Sequence, residues 1–600
     1  MRGKQFFIPF ILLAAGLVLL SCTVLRAQTW SGDFYLRGGS NFLKPDFADG
    51  EISNLRGDAK AKVSYSDGKL SFSLYAEGSY QNRVTEENSI KFTYEQESAD
   101  VDLSYATSLS KTLDIKAGGT FAYKFSDSDK LEADLFWTRG ANRPWNSILS
   151  MYIYAPSGEE EDQDMSLSFY DKDSDNLKNA FNLKGSYVHI FEDPLKVLEI
   201  KADAMRSMAS ESAVFDFGNS DEEENPAQKS YRITPYSART LINGSAAFRN
   251  SSLYGVKDLK METFLKFNLS SDSDLQRAAT QEKGQWADSL SYRADYDYLT
   301  LSVEPGLRLD YKTDKFEAGG VVSLNGYVNR LNSECQGEYH ASPLSSPDVR
   351  LLAALGFKYL LNERHSLSFN FDKTITRPSY GNVFRFYKHG SYDEELITGN
   401  PYLSPTRDMK VSLGYSFKLK RFSADAVLSN TFRDKMIEST YNNETVDGKQ
   451  YRVYTWVNAG HSNTASASLA LGWNGRQLKA NLSAQVNAFD GYSGSGVRTQ
   501  SSDYKISGKV SYDFKYGFSV QADASWQSDI RRTYLYRTGY VSCNARVSKK
   551  FKRLELFVEG NDLLDKEIQT LIYSEDYAEG RVTLGAQYRR IVLAGVNYKF

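Results

Sequence analysis

Residue types that carry catalysis are thinly spread in this 600-residue chain. Its five histidines (His189, His340, His365, His389 and His461) fall in different segments, and none has an Asp, Ser or Cys at a spacing that would pair with it locally. A nucleophile–base–acid set can be assembled from distant segments. No histidine is singled out for such a role, so no enzymatic function is expected. Cys335 and Cys543 are far apart and lack metal-ligand spacing. The run "DKDSDNLKNAFN" from Asp171 places acids at calcium-loop intervals, but it lacks the central glycine and ends on Asn182 where a bidentate glutamate is required. Together with the acidic runs 159–162 and 221–224 it reads as solvated loop charge. No metal and no cofactor are expected. What stands out is a different chemistry. Residues 377–387 gather Arg377, Tyr380, Phe384, Arg385, Phe386 and Tyr387, and Trp286 lies in what reads as a second loop. Aromatic rings with guanidinium groups suit non-covalent capture of a ligand. They suit equally well the packing of a loop over an opening. The ligand-binding candidates are therefore Arg377, Tyr380, Phe384, Arg385, Tyr387 and Trp286.

Most of the chain alternates with a period of two. "LRGDAKAKVSY" turns at Asp67-Gly68 and returns as "LSFSLYAEGSY". One face carries Leu55, Val63, Tyr65, Phe72 and Leu74, the other Arg56, Asp58, Lys60, Lys62 and Glu77. Alternation about an Asp-Gly pair is a strong hairpin signal. "ISGKVSYDF", a turn at 515–517 and "FSVQADASWQS" repeat it. Short connections near 67–68, 192–195, 312–314, 361–364, 418–421, 474–475, 515–517 and 550–553 alternate with long polar ones near 155–177, 210–228, 271–291, 332–345, 377–405, 438–449 and 569–580. Short turns at one end and long loops at the other are the habit of a transmembrane β-barrel. A closed barrel leaves no unpaired sheet edge in lipid. Stacked soluble sandwiches share the alternation. The unbroken repeat and the aromatics at run ends favour the barrel.

Composition fits that reading. There are 40 Tyr and 34 Phe beside only 13 Pro, the formal charge is −3, and mean hydropathy is −0.48. No basic cluster of the kind nucleic acid requires is present. The first residues run from Arg2 and Lys4 through an apolar stretch to Ala27, the order of a secretory signal. Cleavage is expected after Ala27, with Cys22 in "LLSC" as a rival lipidation site. The expected organisation is a signal peptide over 1–27, a short segment over 28–54 read as a plug remnant or a first strand, and a barrel over 55–600. The end, "RRIVLAGVNYKF", alternates to its last residue. It is expected to close the ring against the first strand, with Val592, Ala594, Val596, Tyr598 and Phe600 toward lipid.

One stretch is more specific. "FDKTITRPSYGNVFRFYKHGSYDEELITGNPYLSPTRDMKVSLGYSFK", residues 371–418, contains Ile375, Arg377, Pro378 and Tyr380, then Gly399, Asn400, Pro401, Leu403 and Pro405. With "VEGNDLLDK" over 558–566 and the aromatic terminus, it resembles the outer-membrane β-barrel family that forms the barrel of TonB-dependent receptors in Bacteroidetes. The resemblance implies an all-β, large antiparallel transmembrane barrel of about 22 strands (20–24). It also implies an outer-membrane location, solute passage or capture at the cell surface, and no catalysis. Implied partners are outer-membrane lipid, the barrel assembly machinery, and a surface lipoprotein or TonB-system component. The chain departs from that family in offering no recognisable plug beyond "LRGGSN" at 36–41. A passive, porin-like pore without TonB coupling, or an accessory barrel working with a partner chain, stays open beside the receptor reading. Independently of any resemblance, Pro378, Pro401 and Pro405 cannot donate to a ladder and belong where pairing stops.

Overall fold

The computed structural model describes residues 30–40, 55–95, 98–156, 164–219, 229–253, 256, 258–282, 285–335, 338–341, 348–383, 388–389, 395–446, 449–493, 498–532, 535–564, 568–573, 579–587 and 590–599. The proposed signal peptide with Cys22, the loop residues Phe384, Arg385, Phe386 and Tyr387, both acidic runs and Phe600 lie outside them.

Twenty-two antiparallel strands close into one barrel. The first eleven are β1 (Trp30–Ser40), β2 (Arg56–Ser66), β3 (Leu70–Glu95), β4 (Ser98–Lys124), β5 (Asp129–Pro156), β6 (Asp164–Ile190), β7 (Lys196–Asn219), β8 (Lys229–Asn250), β9 (Leu259–Glu282), β10 (Gln285–Lys312) and β11 (Phe316–Cys335). The rest are β12 (Asp348–Asn362), β13 (His365–Thr376), β14 (Thr406–Leu419), β15 (Phe422–Asp434), β16 (His461–Asn474), β17 (Leu478–Tyr492), β18 (Arg498–Asp513), β19 (Phe518–Gln527), β20 (Tyr540–Lys550), β21 (Leu554–Asn561) and β22 (Ile591–Lys599). The ring closes where β1 meets β22, in register from Asp33↔Lys599 to Ser40↔Val592.

That seam has a steric signature. A Cβ on Gly39 would collide with the Val592 carbonyl, and one on Gly595 would lie 2.7 Å from both the Arg37 Cβ and the Leu36 carbonyl oxygen. The missing side chain at Gly595 lets Arg37 on β1 cross above β22. Its guanidinium reaches Glu559 on β21 at 2.5 Å while holding Asp58 on β2 at 2.6 Å. On β22, Leu593 is fully buried while Ala594 is exposed, the alternation expected of a wall strand.

Outward side chains define the lipid belt. On β5 they run Leu131, Ala133, Leu135 and Trp137, then change to Arg139. On β7 they run Leu198, Ile200, Ala202 and Ala204, then Arg206. The apolar stretch beyond each short turn is thus about ten residues, the span a tilted membrane strand needs. Rings gather at the short-turn end: Trp30 lies 5.1 Å from Tyr65 and 5.5 Å from Phe72, and Phe191 5.9 Å from Phe248. They form the interfacial girdle of such barrels.

Two sequence expectations are corrected here. The stretches 155–177, 210–228 and 271–291 are largely strand, because β5 to β10 run 22 to 28 residues each. Just above the lipid the outward positions turn polar, as at Arg139, Arg143, Asp173 and Asp175, so pairing continues through a stretch without hydrophobic alternation. The acids from Asp171 onward therefore lie on β6, not in a loop, and Trp286 lies on β10. The second correction is a missed turn at 125–128 between β4 and β5, which the alternation of its flanks concealed.

Candidate functional site: the mouth and the lumen wall

Many inward-facing side chains are small or charged, and charges are matched along the ladder. Glu77 lies 3.1 Å from Lys60 and 3.6 Å from Lys116, Lys266 3.2 Å from Glu304, and Arg546 within 3.3 Å of both Glu555 and Glu559. A recess of about 340 Å³ in this wall is lined by Gln521, Asp523, Asn544, Arg546, Glu555 and Glu559. A surface of this kind suits water and hydrophilic solutes.

The mouth is built from the loops of the later strands. A small sheet pairs 437–446 with 449–458 in antiparallel fashion, and Glu395–Ile397 joins it in parallel alongside Arg452–Tyr454. It folds into the ring. Val383, Ile397 and Trp456 pack on Tyr296, Tyr298 and Leu331, inward residues of β10 and β11 that are each less than a tenth exposed. Two asparagines hold the rim. Asn400 donates through Nδ2 to the Trp456 carbonyl (2.8 Å), and its Oδ1 accepts the Tyr402 amide (3.0 Å). Asn458 donates to the carbonyls of Ser404 (2.8 Å) and Lys435 (3.0 Å). Tyr402, between them, is 85 % exposed.

Arg377 anchors the start of the loop. Its Nη1 donates to Asp348 (2.6 Å), its Nη2 donates to Asn325 (2.8 Å), and its guanidinium lies 4.0 Å from the centre of the Tyr327 ring. The Tyr327 hydroxyl in turn bonds that of Tyr298 at 2.9 Å. With Arg377 only 16 % exposed, these contacts make it the latch of the mouth. Tyr380 opens the single helical turn Tyr380–Val383 that follows. Trp286 stands apart. Its ladder position places it on the outer face of the wall, where the Arg232 guanidinium lies 4.3 Å from its ring. The structure therefore does not bring it to Arg377. Sequence reasoning missed Asp348, Asn325 and Asn458, whose partners are distant in the chain. The signal that was present is turn chemistry: Asn458 precedes Gly460, which adopts φ +76°.

Among the histidines, His189 Nδ1 lies 2.7 Å from Asp129, which also accepts from Tyr187 (2.6 Å), Ser126 (2.7 Å) and Ser128 (2.8 Å). Both serines bond the carboxylate and not the imidazole, so the geometry is a turn lock at the short-turn end and not a nucleophile–base pair. Among the described residues no group of His, Cys, Asp and Glu could hold a metal.

Residues 354–598 match the outer membrane protein beta-barrel family. The chain is an outer-membrane β-barrel. The match covers β12 to β22 almost entirely. No curated protein matches the sequence. Among solved structures, the ferric-catecholate import receptor Fiu of K12 E. coli aligns with TM-score 0.58 at 11 % identity, over 96 % of this chain and 82 % of that one. The ferric yersiniabactin uptake receptor FyuA of Yersinia pestis gives 0.57 at 12 %, over 95 % and 80 %. The ferripyoverdine receptor of Pseudomonas aeruginosa gives 0.56 at 13 %, over 96 % and 72 %. At such identities the likeness is one of fold.

Proposed function

We propose that this barrel admits a hydrophilic solute across the outer membrane, caught first at the mouth by the loop that Arg377 anchors and by the exposed Tyr402. The observation that carries the reading is the lumen wall, polar and charge-matched beneath a mouth whose loops are latched and not free. Two of the neighbours' names, an import receptor and an uptake receptor, support transport over catalysis, and no catalytic step is included. Trp286, on the outer face, takes no part. Purified protein in planar bilayers tests the reading: an open or gated lumen conducts in discrete steps, and a barrel that never conducts and never swells sugar-loaded liposomes sinks it.

A second reading is uncoupled passage in place of a TonB-driven cycle. In cells, uptake that persists after the proton gradient is collapsed supports this, and uptake abolished by an uncoupler returns the protein to the coupled class.

A further inference from the structure

The outward face of the tall strands is apolar at a height no lipid reaches. Ile90 on β3, Leu103 and Tyr105 on β4, Leu149 and Met151 on β5, and Phe169 on β6 are 36–49 % exposed. Their register makes them two adjoining rows, Ile90↔Leu103↔Met151 and Tyr105↔Leu149↔Phe169. On β5 this patch stands twelve positions beyond Trp137, the last residue of the lipid belt, with Arg139 and Arg143 between. At about 3.3 Å per residue and a tilt near 40°, it lies roughly 30 Å above the hydrocarbon edge. On the inner face at this level the hydroxyls of Ser89 and Ser104 bond each other at 2.5 Å. The sheet is thus apolar outward and polar inward where both sides face water, and a contiguous exposed patch of this kind marks an interaction site.

We propose that the patch is the contact face of a side-by-side homodimer with its two-fold axis parallel to the barrel axis. The membrane fixes the height and the up-down sense of every copy, so that axis brings the patch onto itself, as an isologous contact requires. Six large side chains about two-fifths exposed present roughly 500 Å² per copy if each offers about 200 Å² in full. The total of about 1,000 Å² reaches the lower bound for a specific interface. The rim carries both signs: Arg143 pairs with Asp175 at 3.2 Å, and Asp173 lies one outward position farther along β6. The band therefore does not repel its own copy.

Oxidative cross-linking in intact outer membranes, with native mass spectrometry of the purified barrel, tests this. Leu149→Cys, close to the axis, is expected to give a disulfide-linked band of twice the mass in at least half the protein. Leu183→Cys in the lipid belt and the parent chain should give less than a tenth of that. The double change Tyr105→Arg with Leu149→Arg should convert the dimer to a monomer while keeping the heat-modifiable gel mobility of a folded barrel. A parent that is monomeric by both methods overturns the proposal. A dimer untouched by the double change also overturns it, as does a Leu149→Cys adduct to a different protein.

Discussion

The two halves of the barrel solve one problem in opposite ways. From β3 to β10 the strands themselves rise far above the membrane, 22 to 28 residues each, and need little loop. From β12 to β22 they stop after 8 to 16 residues, and the loops continue the rise. The tall half is held mainly by contacts between chain neighbours, the upper edge of β3 excepted. The short half is held by long-range contacts: Arg377 to Asp348 and Asn325, Asn400 to Trp456, and Asn458 to Ser404. One region is scaffold, and the other is scaffold with a mouth mounted on it. The match to the family model falls on the second.

The comparison breaks most severely at the seam between the halves. Gly39→Val on β1 drives a side chain into the Val592 carbonyl and leaves no room to relax, since both are backbone-paired. The assembled, heat-modifiable form should fall to below roughly a tenth of the parent level, as expected when a close backbone approach is blocked. Normal mobility and yield would show that the seam is looser than described.

Arg377→Ala should act on the mouth alone. Removing a mostly buried guanidinium that holds two side chains costs about 1–3 kcal/mol locally. Cleavage of the 377–405 loop by added protease should rise severalfold while the barrel's resistance to heat stays unchanged. Arg377→Lys should rescue only part, because a point charge cannot span Asp348, Asn325 and the Tyr327 ring together. An equal effect on barrel melting would erase the distinction between scaffold and mouth. Asn458→Ala removes the bonds donated to the Ser404 and Lys435 carbonyls and the Oδ1 that accepts the Ser404 amide, and should cost about 1–2 kcal/mol of loop stability, read by faster hydrogen exchange at the Ser404 amide. Exchange unchanged there would mean the rim is held by packing on Tyr298 and Leu331 instead.

The smallest effect belongs to pH. Asp529, in the loop after β19, accepts the Gly539 amide and the Tyr536 hydroxyl, each at 2.8 Å. These bonds hold its carboxyl below the ordinary carboxylate range, the amide contributing most. A depressed folded pKa gives a stabilisation that is present above the unfolded value and lost as pH falls through the folded one. The 528–539 hairpin should therefore keep its protease resistance through pH 5 and loosen only in stronger acid. Asp529→Asn should be looser at neutral pH and flat across that range. An identical acid transition in the variant would assign it to another group.

Much of the tall half was legible only up to the lipid. Between Leu131 and Trp137 the alternation of apolar and polar residues is forced by hydrocarbon on one side and water on the other. From Arg139 to Arg143, and across Asp171 to Asp175, charged residues interrupt the pattern and strand looks like loop, which is why Trp286 and the Asp171 run were misplaced. In the short half the prolines and Gly399-Asn400 around 378–405 told where pairing stops, and it does stop there. The role of Arg377 was not legible, because its partners Asn325 and Asp348 come from two other strands and no local spacing announces them. Ala594 was legible as an outward residue of β22. Arg37 crossing Gly595 was not, since it needs three strands at once.

The wall above β2 carries one more lesson. Where the short β1 and β2 end, β3 continues, and its exposed edge from Thr85 to Thr93 is paired by residues 579–587 of the last loop. Those partners are roughly 500 residues apart along the chain, a separation that makes their pairing slow to form. During biogenesis the third strand therefore waits, with nine residues of unsatisfied edge, until almost the whole polypeptide has been delivered. An edge left open that long is a template for the wrong strand. Building the rim from the chain's last loop thus leaves a second open edge through biogenesis, beside that of β1 waiting for β22.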